Sequence, residues 1–146
     1  MNAPTNATTT APTDALATIR AINDTAAFNR WCGIEVAKAG AGEAEIVMPW
    51  RGELAQYAGF LHAGLIGALI DTACGFAAAS VVGRVLASHY SVNCLRPAIG
   101  ERFVARARVV KPGKTQVFTA CELFAQTAGV EKLVATGETI LSVVAA

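Results

Sequence analysis

One stretch of the sequence, LHAGLIGALIDTACGFAAAS at residues 61–80, is apolar along its length and carries a single acid, Asp71. About 20 apolar residues are enough to cross a bilayer, so a membrane span is one interpretation. A carboxylate near mid-depth costs roughly 3 kcal/mol there, and the glycines and alanines make the segment only weakly hydrophobic. A helix that is apolar on every side is also typical of the centre of a domain. We therefore predict a buried central helix and no membrane partner.

Six extended runs surround this helix. GIEVAKAG and GEAEIVMPW precede it as a hairpin around residues 40–42. Four more runs follow at residues 85–95, 102–110, 116–126 and 132–144, separated by the turn sequences RPAIGE, KPGKT and TAGVE. Apolar residues alternate with charged ones in the second strand of the hairpin and in the run at 102–110, where Arg102, Arg106 and Arg108 are predicted to face away from Phe103, Ala105, Ala107 and Val109. The order predicts an α+β fold, in which a six-stranded antiparallel sheet wraps around the long central helix.

The start of the chain contains a second predicted helix. Leu16, Ile19, Ile22 and Ala26 form an apolar stripe at helical spacing, which predicts an N-terminal helix from Thr13 or Asp14 to about Arg30. Residues 1–13, rich in Thr, Ala, Asn and Pro, have neither the basic nor the apolar region of a secretory signal. We expect a disordered tail at 1–13 and one domain at 14–146.

Composition excludes several classes of partner. The net charge is +1, without a cluster of Lys and Arg, so we expect no nucleic-acid partner. The four cysteines form no C-x-x-C pair, and we interpret all of them as buried free thiols of a cytoplasmic protein without metal or cofactor. With 53% apolar and only 16% charged residues, the chain is expected to bury further apolar surface as a homodimer or homotetramer.

Four short motifs resemble those of the PaaI-like acyl-CoA thioesterases, which have the hotdog fold. They are Q-x-x-G-x-x-H-A-G at residues 56–64, D-T-A at 71–73, L-R-P-A at 95–98 and G-K-T at 113–115. The resemblance implies hydrolysis of an acyl-CoA ester to the free acid and CoA. It also implies that Asp71 acts as nucleophile or general base and that the Ala63 and Gly64 amides bind the oxyanion. The usual pair at the latter positions is Gly-Gly, and this chain has Ala63 at the first.

These residue types suit attack on a thioester carbonyl, which needs a base or nucleophile and donors for the developing oxyanion. The first N–H groups of a helix lack intrahelical partners, and no Ser, Thr, Asp or Asn lies at residues 57–61 to cap them. We expect these amides to be free for a ligand. Asp71 lies nine residues after His62, about 13 Å along a helix and half a turn around it. Only a two-fold dimer with antiparallel central helices would bring Asp71 to the amides of its partner.

The remaining site candidates each have two interpretations. Asp71 could instead bond a neighbouring amide and only fix the core. His62 is a catalytic candidate, or its side chain could bond a backbone carbonyl and shape the loop. The resemblance implies that Gln56 orients the attacking water or the carbonyl, although it could be an ordinary turn residue. The resemblance also places Arg96 and Lys114 near the phosphates of CoA, with Thr72 among the substrate-binding residues, although surface cations are usually just solvated.

Two other functions use the same fold. A dehydratase acting on hydroxyacyl thioesters needs a His base with a partner acid, and His62 has no evident one in the sequence. A non-catalytic acyl-CoA-binding protein is the alternative that stays open. The acyl group could be aromatic, short or of medium length, and its carrier could be CoA or an acyl carrier protein.

Overall fold

A computed structural model of the protein describes residues 12–146, with side chains from residue 15 onward. Most of the predicted tail at 1–13 lies outside the described residues. The helices and strands, in chain order, are α1 (Pro12–Thr25), α2 (Ala27–Cys32), β1 (Glu35–Gly40), β2 (Glu43–Pro49), α3 (Ala63–Val82), β3 (Val85–Cys94), β4 (Arg102–Lys111), β5 (Gln116–Thr127) and β6 (Val130–Val143).

The strands form one six-stranded antiparallel sheet, as predicted, and their order in it is β1-β2-β4-β5-β6-β3. All six strands contact α3, which lies on the inner face of the sheet. The strand that follows α3 in the chain, β3, is at the edge of the sheet and pairs only with β6 among the described strands. One side of β3 is therefore unpaired along its length in the single chain.

Alternation of apolar and polar residues explains why these segments form half-buried strands. In β4, Phe103, Ala105 and Ala107 are buried against the helix. Arg102 and Arg106 are exposed on the outer face, as the sequence predicts. Arg106 donates to Glu45 at 2.7 Å and to Glu131 at 2.7 Å, which ties β4 to β2 and to the start of β6.

The apolar segment at 61–80 becomes α3, with nine of its twenty residues buried. By length and a mean hydropathy of 1.9 it could cross a membrane. Its contacts with every strand instead make it the core helix of the domain, because the sheet covers its apolar side. The other side of α3 carries mostly small residues and is only partly covered.

Two details of the sequence interpretation were wrong. The predicted N-terminal helix breaks at Ala26 into α1 and α2, because buried Asn23 donates to the Ile34 carbonyl at 2.9 Å and accepts from Asn29 at 3.0 Å. These bonds fix the chain direction into β1. Cys94, expected in the core, is exposed at the end of the edge strand, whereas the other three cysteines are buried as predicted.

Candidate active site

His62 is the N-cap of α3. Its backbone is extended, with φ −60° and ψ 134°, and its ring Nδ1 accepts a hydrogen bond from the Gly64 N–H at 2.8 Å. A Cβ at position 64 would lie 3.0 Å from this ring nitrogen, so glycine leaves room for the imidazole. The expectation that the first amides are all free was therefore wrong for Gly64, because His62 itself caps the helix. The ring of His62 bonds this amide and not the backbone carbonyl that we expected.

Ala63 supplies the amide that this cap leaves available. Among the described residues, no acceptor is hydrogen-bonded to the Ala63 N–H, and the residue is exposed. The helix dipole places partial positive charge at this end of α3. An anionic oxygen could bind there without displacing any bond of the folded chain.

Asp71 lies at the middle of α3 and is partly buried. Removal of the carboxyl from water raises the pKa of Asp71 above its ordinary value. The Asp71 carboxylate forms no hydrogen bond or ion pair with any group that the structure describes. If Asp71 only stabilised the core, its carboxylate would need a bond to a neighbouring amide. The absence of such a bond favours a carboxylate that is available to another group.

Ala63, Gly64 and Asp71 share one side of α3. Gly64 and Asp71 are seven residues apart, which puts them on the same face about 10 Å apart along the axis. Ala68, Thr72 and the small residues further along this face are only partly buried. Thr72 thus lies beside Asp71 as the motif implies. A single chain does not bring the carboxylate to the amides, because a straight helix holds them more than a turn apart.

Gln56 belongs to a compact turn that leads into α3. Its side-chain oxygen accepts from the Ala58 N–H, and its backbone N–H donates to the Phe60 carbonyl at 2.8 Å. A bridge between Ala55 and Leu61 closes the turn. Of the two roles predicted for Gln56, the turn-forming one is therefore seen in the structure.

The two predicted CoA-binding cations are exposed at opposite ends of α3. Arg96 lies near its start, because the Leu61 N–H donates to the Ala98 carbonyl at 3.1 Å and holds the 95–98 segment there. Lys114 lies near its end. The Val144 N–H donates to the carbonyl of Arg84, which follows α3, and the Val143 N–H donates to the carbonyl of Thr115, both at 2.9 Å. One chain does not bring Arg96 and Lys114 together.

Tyr90 of β3 is a site candidate that the sequence analysis missed. It pairs with Thr139, whose buried hydroxyl has no hydrogen-bond partner among the described residues, and its ring lies against Gly67 of α3. The register of β3 against β6 shifts between Ala87 and His89. Simple alternation along β3 therefore does not reveal which of its side chains face the helix. No motif in the sequence marks Tyr90.

Comparisons with known proteins indicate the family of this chain. The sequence profile of the thioesterase superfamily matches residues 58–132, which include the start of α3, Asp71 and Tyr90. A protein of Halobacterium salinarum with a provisional esterase name is 33% identical over 110 residues, covering 70% of this chain and 72% of that protein.

Solved structures show the same architecture. A thioesterase family protein from Silicibacter pomeroyi is 35% identical and superposes with a TM-score of 0.84, covering 88% of this chain and 96% of that one. The E. coli PaaI protein from the phenylacetic acid degradation operon is 22% identical, with a TM-score of 0.82 over 92% of this chain and 96% of that one. That second likeness shows a common fold. With the profile matching over half of its length, and with the predicted hotdog architecture confirmed, the chain belongs to the thioesterase superfamily.

Proposed function

We propose that this protein is a PaaI-like thioesterase that hydrolyses an acyl-CoA with a small or medium acyl group, aromatic groups included. The observation that carries the proposal is the open face of α3, which has the unbonded Ala63 N–H at its start, the partly buried Asp71 carboxylate about two turns further on, and small residues between them on this face. These two groups are what attack on a thioester requires, a basic oxygen and a preorganised donor.

In the proposed reaction, Asp71 takes a proton from water, and the water oxygen attacks the thioester carbonyl. The carbonyl oxygen becomes an oxyanion held by the Ala63 N–H at the positive end of α3. Collapse of this intermediate breaks the C–S bond, and the proton leaves on the CoA thiol, giving the free acid and CoA. Direct attack by the Asp71 carboxylate, followed by hydrolysis of the resulting anhydride, has the same overall balance.

The proposal includes a homodimer with shared sites. Ala63 and Asp71 are eight residues apart, about 12 Å along the axis of α3. Two copies of α3 packed antiparallel through their open faces would set each Asp71 beside the Ala63 amide of the partner. The small residues of this face favour such a close approach, and the unpaired side of β3 offers an edge at which the two sheets could join.

The same dimer would bring Arg96 of one chain toward Lys114 of the other. Arg96 lies near the start of α3 and Lys114 near its end. Antiparallel helices bring the start of one α3 toward the end of the other, so both cations would flank one site. We infer that they meet the phosphates of CoA, where isolated exposed cations suffice.

The test is thiol release from a panel of aliphatic and aromatic acyl-CoA esters. Asp71→Asn and Asp71→Ala are expected to lower kcat at least about 100-fold while remaining folded dimers. Ala63→Pro, which removes the N–H, is expected to cost about 100-fold, whereas Ala63→Gly keeps the donor and serves as its matched control. If the wild type binds acyl-CoA but releases no thiol from any ester, the non-catalytic binding function replaces the hydrolase.

A further inference from the structure

The side chain of Tyr90 lies beside the proposed site. Tyr90 pairs with Thr139, which is fully buried on the inner face, so the Tyr90 side chain points toward α3. A Cβ at Gly67 would lie 3.2 Å from the ring Cε2 and 3.5 Å from the hydroxyl oxygen of Tyr90. The absence of a side chain at Gly67 therefore lets the ring lie directly on the helix.

Gly67 is midway between the two groups assigned to the chemistry. It follows Ala63 by four residues and precedes Asp71 by four, which places it about 6 Å from each along the axis. Positions four apart lie on neighbouring parts of one helix face. The ring of Tyr90, 51% exposed in the single chain, thus borders the strip of helix between the oxyanion donor and the carboxylate.

In the proposed dimer this position has a further consequence. The two-fold axis that pairs Ala63 of one chain with Asp71 of the other passes close to residue 67 of both helices, because that residue is their midpoint. The Tyr90 rings of the two chains would then flank the axis. Each ring would separate one site from the other and limit how far an acyl group can extend inward.

We propose that Tyr90 is the specificity-determining residue for the acyl group, closing the inner end of the site so that short and aromatic acyl groups fit and long alkyl chains do not. The inference rests on the proposed thioesterase function. Its physical basis is that the ring leaves no gap against Gly67 into which a chain could pass. An aromatic acyl group also gains an offset or edge contact with the ring, which a straight chain does not.

The test compares kcat/KM for acetyl-, hexanoyl-, decanoyl- and benzoyl-CoA in the wild type, Tyr90→Ala and Tyr90→Phe. Tyr90→Ala is expected to raise the decanoyl-to-acetyl ratio about 10-fold or more, and Tyr90→Phe to leave it within about 3-fold, because the ring sets the depth. Leu86→Ala is the matched control. Leu86 is 66% exposed on the same strand and pairs with Ser142, which puts it on the opposite face. An unchanged ratio in Tyr90→Ala, or an equal change in Leu86→Ala, overturns the inference.

Binding of non-hydrolysable thioether analogues, propyl-CoA and decyl-CoA, separates this inference from the proposed function. We expect the wild type to prefer the short analogue and Tyr90→Ala to lose that preference by about 10-fold in relative Kd. If no ester is hydrolysed but this shift in Kd appears, the hydrolase proposal fails and the role of Tyr90 stands. If esters are hydrolysed and neither the rates nor the Kd values shift with Tyr90→Ala, the role of Tyr90 fails alone.

Discussion

His62 decides which amide of α3 is available to a ligand. Its Nδ1 accepts a hydrogen bond from the Gly64 N–H at 2.8 Å, which leaves the Ala63 N–H as the donor available for the proposed oxyanion. This assigns the histidine a structural task, since an N-cap satisfies one of the orphan donors of the first turn. The cap could not be predicted from the sequence, because histidine is not among the usual capping residues and none of those lies at residues 57–61.

The cap predicts different outcomes for two substitutions of His62. His62→Ala is expected to lower the free energy of unfolding by about 1 kcal/mol, measured in urea, whereas His62→Asn provides another capping oxygen and should lose less than about half of that. Both variants are expected to keep kcat within about 5-fold of the wild type. A loss in His62→Asn as large as that in Asp71→Asn would show instead that the imidazole takes part in the reaction.

We expect the pKa of Asp71 to set the acid limb of the proposed activity. Burial raises this pKa, and the proposed reaction uses the deprotonated carboxylate. As pH falls through the raised pKa, the reactive form disappears, so log kcat/KM should decline with unit slope at a pH above the ordinary carboxyl range. Steady-state rates from pH 4 to 8 test this, with folding followed by circular dichroism at each pH. A limb at the ordinary carboxyl pKa would contradict a desolvated base.

At the scale of elements, the distance between α3 and the sheet depends on Gly137 of β6. A Cβ there would lie 2.7 Å from Ile70 Cγ2 and 2.7 Å from the Ser91 carbonyl oxygen. Gly137→Ala is therefore expected to push the helix or strand apart and lower the free energy of unfolding by about 2 kcal/mol. Gly52→Ala, where nothing lies within 4 Å, is the control and should change it by less than about 0.5 kcal/mol. Equal effects of the two substitutions in urea unfolding would refute close packing at Gly137.

Elements with strong local periodicity could be predicted from sequence, and long-range contacts could not. The alternation in β2 and β4 predicted strands with one buried face, and the apolar residues all around α3 predicted a buried helix. The break at Ala26 follows from a buried bond between Asn23 and Ile34, which lie in different elements, eleven residues apart. The orientation of Tyr90 toward α3 depends on a register shift in β3, and no local sequence pattern predicts the position of a β-bulge.

For the whole molecule, the decisive question is whether one site draws residues from two chains. Ala63→Pro and Asp71→Asn each remove one half of the proposed site. Proline is well accepted at the first position of a helix, and the extended backbone of His62 is the conformation required before it. Each variant alone should retain at most about 1% of the wild-type kcat.

Co-expression of the two variants with different tags allows purification of the mixed dimer. In it, the Asp71 carboxylate of the Ala63→Pro chain would meet the Ala63 N–H of the Asp71→Asn chain, while the second site lacks both groups. One intact site of two predicts about half of the wild-type activity per dimer, from two nearly inactive parents. As a control, Ala63→Gly paired with Asp71→Asn should also show about half, because one of its two sites keeps both groups whether they come from one chain or from two. If the Ala63→Pro and Asp71→Asn mixed dimer stays as inactive as its parents while that control is active, the carboxylate and the amide of each site come from the same chain, and the antiparallel arrangement of α3 is wrong.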